Sequence, residues 1–205
     1  MASLNRHPSR NAANLRRSRL YSEELGIALG RKTDTELFKW LLASILLGAP
    51  INESVAKRSW FSFRKYRLLS PRRILRAGWE FLVNPVLREG HYVRYDEKTA
   101  ALLLEICRFL LDQYGGSLNA LIRTAESRRE VRQRLLAIPG IGPVRMNIFL
   151  RELRPYYSNC DIPPLPVVHT LARRAGVRLD AAKRGSMGYC RMEAGLMRLR
   201  HSLLR

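Results

Sequence analysis

The sequence predicts an all-α protein, and three observations support that fold class. Apolar residues recur at helical spacing through most of the chain. Capping residues precede these apolar stretches, and Gly or Pro follows them. No stretch alternates apolar and polar residues over the length of a β-strand. We therefore expect compact helices joined by short turns.

The first predicted helix is buried, because residues 37–47 are apolar at helical spacing and carry little charge. Thr33 is its predicted N-cap. Trp40, Trp60 and Trp79 lie in apolar patterns of this kind, so we expect them in the core. Further helices, placed by the same signals, are predicted over residues 52–60, 70–82, 96–111, 118–125 and 127–136.

The charge of the chain is unusual for a globular protein. There are 37 Lys and Arg against 17 Asp and Glu, which gives a formal net charge of +20. A surface this positive attracts polyanions such as DNA, RNA or an anionic membrane face.

The charge also predicts the domain organisation. Five arginines and no acid lie in residues 1–19. We therefore expect residues 1–32 to be a basic, partly disordered N-terminal arm, disordered at least as far as Arg19. A single helical domain would follow over residues 33–205. The arm is either a solvated tail or a segment that lies along a phosphate backbone.

Several classes of protein are excluded at this stage. Cys107, Cys160 and Cys190 lie far apart, which fits neither a zinc or redox pair nor a secreted disulfide framework. The chain begins without an apolar signal region, and its longest apolar stretch, near residues 41–47, is too short to span a bilayer. We expect a soluble intracellular protein, cytoplasmic or associated with the nucleoid, with no membrane partner.

The most informative segment is a hairpin at residues 136–150, in which Pro139-Gly140-Ile141-Gly142 separates two apolar helices. Glycines allow a tight turn and the close approach of another backbone. The second helix opens with Pro143, and its first amides have no partner inside the helix, so its N-terminus favours a phosphate group. Arg145, in its first turn, can add a direct contact. Phosphate contacts of this kind are independent of base sequence.

This hairpin resembles the helix-hairpin-helix of the DNA glycosylase superfamily that includes endonuclease III and the bacterial alkyladenine glycosylases. The family's L-P-G-x-G turn corresponds to residues 138–142. Gly90-His91-Tyr92 and a following helix that ends at Gly115-Gly116 resemble the stretch that precedes that turn. The resemblance covers about residues 33–176, with a closing helix near residues 191–204. It implies a two-lobed all-α glycosylase-like fold that binds double-stranded DNA, possibly damaged, in the cleft between the lobes.

The resemblance also implies roles for hairpin residues. The phosphate contacts would come from Gly140, Ile141, Gly142, Pro143, Val144 and Arg145. A monovalent cation would be held by the backbone carbonyls of Leu136, Ile138 and Ile141, since carbonyl oxygens suit hard cations. No other cofactor is expected, because iron–sulfur members carry four cysteines near the C-terminus and only Cys190 lies there.

The catalytic positions depart from the family pattern. Val144 stands where bifunctional members carry the Lys that forms a Schiff base, so that lyase chemistry is not expected. The family's catalytic Asp aligns with Val167 or Val168. Counting from Gly142 instead points to Asp161 as the catalytic carboxylate. The alternative interpretation of Asp161 is a plain Asp in a turn.

Three residues outside the hairpin are further DNA-binding candidates. Asn52 lies where the family inserts side chains into the gap left by a flipped base. Tyr92 and Arg94 have the composition of a base-stacking surface, although this position also suits packing between lobes.

The prediction is a base-excision-repair-type protein, a monofunctional DNA glycosylase that hydrolyses the N-glycosidic bond of a flipped damaged base. One alternative is a non-catalytic helix-hairpin-helix DNA-binding module that senses damage or structure. A further alternative is a basic protein associated with RNA or the ribosome.

Overall fold

A computed structural model of the chain describes residues 8–204, and this part of the protein is helical, without a β-strand. The all-α prediction is confirmed. The α-helices are α1 (Pro8–Arg16), α2 (Tyr21–Glu24), α3 (Asp34–Leu47), α4 (Glu53–Lys65), α5 (Pro71–Phe81), α6 (Asp96–Tyr114), α7 (Leu118–Arg123), α8 (Arg128–Leu136), α9 (Pro143–Leu153), α10 (Pro166–Arg174), α11 (Met187–Arg198) and α12 (Arg200–Leu203). A π-helical segment (Leu82–Leu87) follows α5, and short 3-10 turns occur at Leu29–Arg31, Ser158–Cys160 and Leu179–Ala181.

Side-chain caps fix where several helices begin. The Thr33 hydroxyl accepts a hydrogen bond from the Glu36 amide at the start of α3, as predicted. Ser70 and Ser127 cap α5 and α8 in the same way. The long helix α6 ends at Gly115, whose φ of 60° is the left-handed conformation that favours glycine.

Two hydrophobic clusters hold the helices together. The larger contains the fully buried Trp40 of α3 and Trp60 of α4, which confirms both as core residues. The indole Nε1 of Trp40 donates to the Phe149 carbonyl at 2.8 Å and so joins α3 to α9. The smaller cluster is built by α1, α10 and α11, around Leu15, Leu171 and other residues.

Trp79 does not belong to the core, so the prediction of its burial was wrong. Its side chain lies at the surface, 41% exposed, and its Nε1 donates to the Glu97 carbonyl at 3.2 Å. The physical reason is local: Gly78 has φ 75° and breaks the helical path, so the apolar spacing of α5 does not carry Trp79 to the buried face.

The N-terminal segment also differs from the predicted disordered arm. Residues 1–7 lie outside the described part of the chain, but residues 8–16 form α1, which packs on α11. Leu15 is buried, and the Asn11 amide donates to the Ala175 carbonyl at 3.1 Å. A Cβ on Gly195 of α11 would lie 2.7 Å from Leu15 Cδ2, so this glycine permits the close approach. Burial against α11, rather than local sequence, orders this segment.

Candidate nucleic-acid interface

The hairpin turn joins α8 to α9, and its two glycines have different environments. Gly140 has φ 65°, and a Cβ there would lie 2.4 Å from Leu102 Cδ1, so any other residue would strain the backbone and displace the Leu102 side chain. Gly142 has φ −86°, and a Cβ there would meet no atom within 4 Å. Gly140 therefore closes the turn against α6, whereas Gly142 faces open space.

The start of α9 presents backbone donors without protein acceptors. Gly142 is the N-cap residue and supplies no side-chain cap. Among the described residues, no hydrogen bond is made by the amides of Gly142, Val144 or Arg145, and Pro143 has no N–H. Gly142, Pro143 and Val144 are exposed. Exposed amides at the positive end of a helix dipole favour an anion such as a phosphate group.

Arg145 is turned back onto the hairpin. Its Nη1 donates to the Gly140 carbonyl at 2.7 Å, and its aliphatic part packs against Gly48, where a Cβ would lie 2.5 Å from Arg145 Cγ. Burial lowers the pKa of the Arg145 guanidinium. The side chain therefore braces the turn through Nη1, while its buried Nε has no hydrogen-bond partner among the described residues. The backbone amide of Arg145 also has no acceptor there.

The hairpin carbonyls fit the chemistry of a monovalent cation site. Ile138 accepts one hydrogen bond, from the Ile141 amide at 3.1 Å. No described hydrogen bond ends on the carbonyl of Leu136 or of Ile141. Carbonyl oxygens that accept no hydrogen bond and lie in one turn are suitable ligands for a hard cation. By contrast, no group of three or more His, Cys, Asp or Glu within residues 8–204 has the arrangement of a metal site.

A cleft of about 700 Å³, the central cleft, opens beside the hairpin. One wall comes from the loop after α3 and the loop before α6, and the other from α9, α10 and α11. Val144, Ile148 and Val168 give it apolar surface, while Arg94 and Arg200 add positive charge. A cleft of this size with an apolar lining and a few polar groups is the usual form of a small-ligand site.

The structure brings the three non-hairpin candidates to this cleft, together with Val144 of α9. Asn52 is exposed at its edge, just before α4, and Arg94 is exposed in the loop before α6. Tyr92 is 1% exposed, and its hydroxyl lies 3.1 Å from the Thr99 hydroxyl. Tyr92 therefore packs between helices and has no free ring face for a base in this conformation.

One carboxylate lines the central cleft among the described residues, and it is Glu193 of α11. Glu193 is completely buried, and one of its oxygens accepts a hydrogen bond from Arg154, which is also buried. Its other oxygen, Oε1, has no hydrogen-bond partner. Arg151, next along the wall, likewise has an unpaired Nε. Buried polar atoms without partners call for a functional or structural explanation.

Asp161 is not a residue of the central cleft and instead lies in a neighbouring groove. Its carboxylate accepts two hydrogen bonds from Arg184, at 2.7 and 3.1 Å. Arg128 lies 3.5 Å from it and Arg154 lies 4.0 Å from it. Three guanidinium groups thus surround the predicted catalytic carboxylate.

Sequence reasoning missed Glu193, although the chain contains a signal for it. This acid follows Met192 and precedes Ala194-Gly195-Leu196, so it interrupts an apolar stretch of the last long helix. A carboxylate in such a stretch is buried only with a partner. Its partner, Arg154, lies at the end of α9, far from Glu193 along the chain. No local sequence pattern therefore shows that the two residues form a pair.

Comparison with protein-family models, with curated proteins and with solved structures finds no match. None of the helices within residues 8–204 is both long enough and apolar enough to cross a membrane.

Proposed function

We propose that this protein binds double-stranded DNA through the hairpin and acts in base excision as a monofunctional DNA glycosylase. The observation that carries the proposal is the set of unpaired, exposed amides at the start of α9, directly beside the central cleft. One DNA strand would bind at these amides through a phosphate. An extruded base would then enter the central cleft.

The sequence-independent part of binding rests on the hairpin and on charge. The amides of Gly142, Val144 and Arg145 supply charge-assisted hydrogen bonds to a phosphate. A formal net charge of +20 supplies long-range attraction. The carbonyls of Leu136, Ile138 and Ile141 would hold a monovalent cation, which would add positive charge at the same turn.

The reaction would be hydrolysis of the N-glycosidic bond. The bond between sugar C1′ and the base nitrogen breaks, and its electron pair leaves with the base. A water oxygen bonds to C1′, and a water proton ends on the departing base. Positive charge develops on the sugar during this step, so a nearby fixed negative charge lowers the barrier.

Glu193 is the group that we assign to this electrostatic role. It lines the central cleft, and its Oε1 has no hydrogen-bond partner. A carboxylate inside a low-dielectric wall acts on developing charge without exposure to solvent. Asp161 remains the alternative, but its oxygens are held by Arg184 outside the central cleft.

A second candidate function is DNA binding without catalysis, by a damage or structure sensor on the same hairpin. The observation in its favour is that both carboxylates are engaged by arginines, Asp161 by Arg184 and Glu193 by Arg154. It predicts binding with steep salt dependence and no release of base.

The test is single-turnover base release from duplex oligonucleotides that carry one alkylated, deaminated or oxidised base. We expect release from at least one of them, a loss of about a hundredfold or more in Glu193→Gln, and near-normal rates in Asp161→Asn. Loss in Asp161→Asn alone would identify Asp161 as the catalytic group. Binding without any release would favour the sensor, and absence of binding would contradict both functions.

The Glu193→Gln variant needs its own control, because it leaves Arg154 buried beside a neutral partner. Glu193→Asp keeps the charge and serves as that control. We expect Glu193→Asp to retain more activity than Glu193→Gln when both are compared at temperatures where thermal denaturation shows them folded.

A further inference from the structure

A second concave surface lies beside the hairpin, and we call it the arginine groove. It has a volume of about 520 Å³ and is lined by Arg128, Arg129, Arg132, Arg184 and Pro143. Asn147 of α9 lines both this groove and the central cleft, so α9 forms a common wall between them. The groove therefore adjoins the same helix start that presents the unpaired amides.

The charges of the groove are incompletely balanced. Asp161, the one carboxylate among its described lining residues, binds Arg184 through both oxygens and lies 3.5 Å from Arg128. Arg129 and Arg132 are exposed, and no hydrogen bond or ion pair to their side chains is found within residues 8–204. Two of the four guanidinium groups thus have no anionic partner in the described protein.

The arrangement on α8 is electrostatically unfavourable without a ligand. Arg132 is three residues from Arg129 and four from Arg128, so these like charges lie on one side of the helix. Glu130 could offset them, but its carboxylate is engaged by Arg134 in an ion pair. An anion in the groove would relieve this repulsion.

We propose that the arginine groove binds phosphate groups of the same DNA strand that the hairpin holds, as a second contact on its backbone. Planar guanidinium groups pair with phosphate oxygens in a bidentate manner, which suits Arg rather than Lys at such a site. This inference rests on the proposed function as a DNA-binding protein. It does not depend on whether the protein releases a base.

The experiment compares two pairs of substitutions. Arg129→Ala/Arg132→Ala removes the two unpaired charges of the groove. Arg72→Ala/Arg76→Ala removes two exposed charges of α5, which lines neither the groove nor the central cleft. Binding of an undamaged fluorescent DNA duplex is measured by anisotropy over a series of salt concentrations, and thermal denaturation shows that each variant is folded.

We expect Arg129→Ala/Arg132→Ala to make the negative slope of log K against log salt shallower by about 2. Each lost phosphate contact decreases the magnitude of the slope by about 0.9. The α5 pair should keep the wild-type slope. Equal slopes in all three proteins, or equal losses in both pairs, would overturn the groove as a binding surface while leaving DNA binding intact. No binding by the wild-type protein would overturn the proposed function together with the groove.

Discussion

At the scale of single residues, the two glycines of the hairpin turn are the most informative positions. Gly140 combines φ 65° with a Cβ position 2.4 Å from Leu102 Cδ1. Gly140→Ala should therefore destabilise the fold by about 1–3 kcal/mol, from backbone strain and overpacking. Chemical denaturation measures this change, and a variant as stable as the wild type would contradict the described turn.

Gly142→Ala tests the opposite situation. With φ −86° and open space around the added methyl, the free energy of unfolding should stay within about 0.5 kcal/mol of the wild type. The methyl would hinder a phosphate at the adjacent amides, so DNA affinity should fall about tenfold, the effect of losing one charge-assisted hydrogen bond. Unchanged affinity for a duplex would mean that the backbone at this glycine does not contact DNA.

Residue-level prediction from sequence worked where the cause is local. The free amides at the start of α9 could be predicted from the Pro-Gly turn, because the backbone conformation of a turn depends on a few neighbouring residues. The position of Arg145 was not predictable, since it depends on Gly48 of a distant loop. The environment of Asp161 also escaped prediction, because Arg184 and Arg128 reach it from other segments.

At the scale of helices, α1 is the element that differs from the sequence-based expectation. Leu15→Ala should destabilise the protein by about 2–3 kcal/mol, because it removes a buried side chain between α1 and α11. Leu204→Ala, at an exposed position, is the matched control with little expected change. A disordered arm would instead leave unfolding by denaturant unaffected by the change at Leu15.

The starts of α3, α5 and α8 could be predicted because their caps lie next to the helices that they begin. Thr33, Ser70 and Ser127 each accept from an amide three residues later. The ordering of the N-terminal segment that contains α1 could not be predicted. It depends on Gly195 and on Arg191 of α11, and Arg191 donates to the Ser18 carbonyl at 2.9 Å. Contacts between segments so far apart leave no local pattern in the sequence.

At the scale of the whole molecule, burial controls the chemistry of the thiols. Cys107, Cys160 and Cys190 are free and buried, and burial raises the pKa of each thiol to about 12. The reactive thiolate is therefore scarce at neutral pH. A thiol-specific reagent should label none of the three in the native protein and all three in denaturant. Rapid labelling of the native protein would contradict the packing of the larger cluster, to which all three belong.

Long-range attraction and local contact depend on different features of the molecule. The net charge of +20 attracts a polyanion from a distance, but it does not determine which surface makes the contact. In the proposed function, the contact surface would be the free amides at the start of α9 and the unpaired guanidinium groups of Arg129 and Arg132. The net charge could be counted from the sequence, whereas the groove required the three-dimensional arrangement of α8 and α9.

The most direct test of the central claim is an NMR titration of the ¹⁵N-labelled protein with an undamaged DNA duplex. We predict that the amide resonances of Gly142, Val144 and Arg145 shift most strongly, because a phosphate becomes their hydrogen-bond acceptor. Amides of α5, which lines neither the central cleft nor the arginine groove, serve as internal controls and should move little. Saturable binding of DNA with no shift at these three amides would contradict the hairpin as the DNA-binding element.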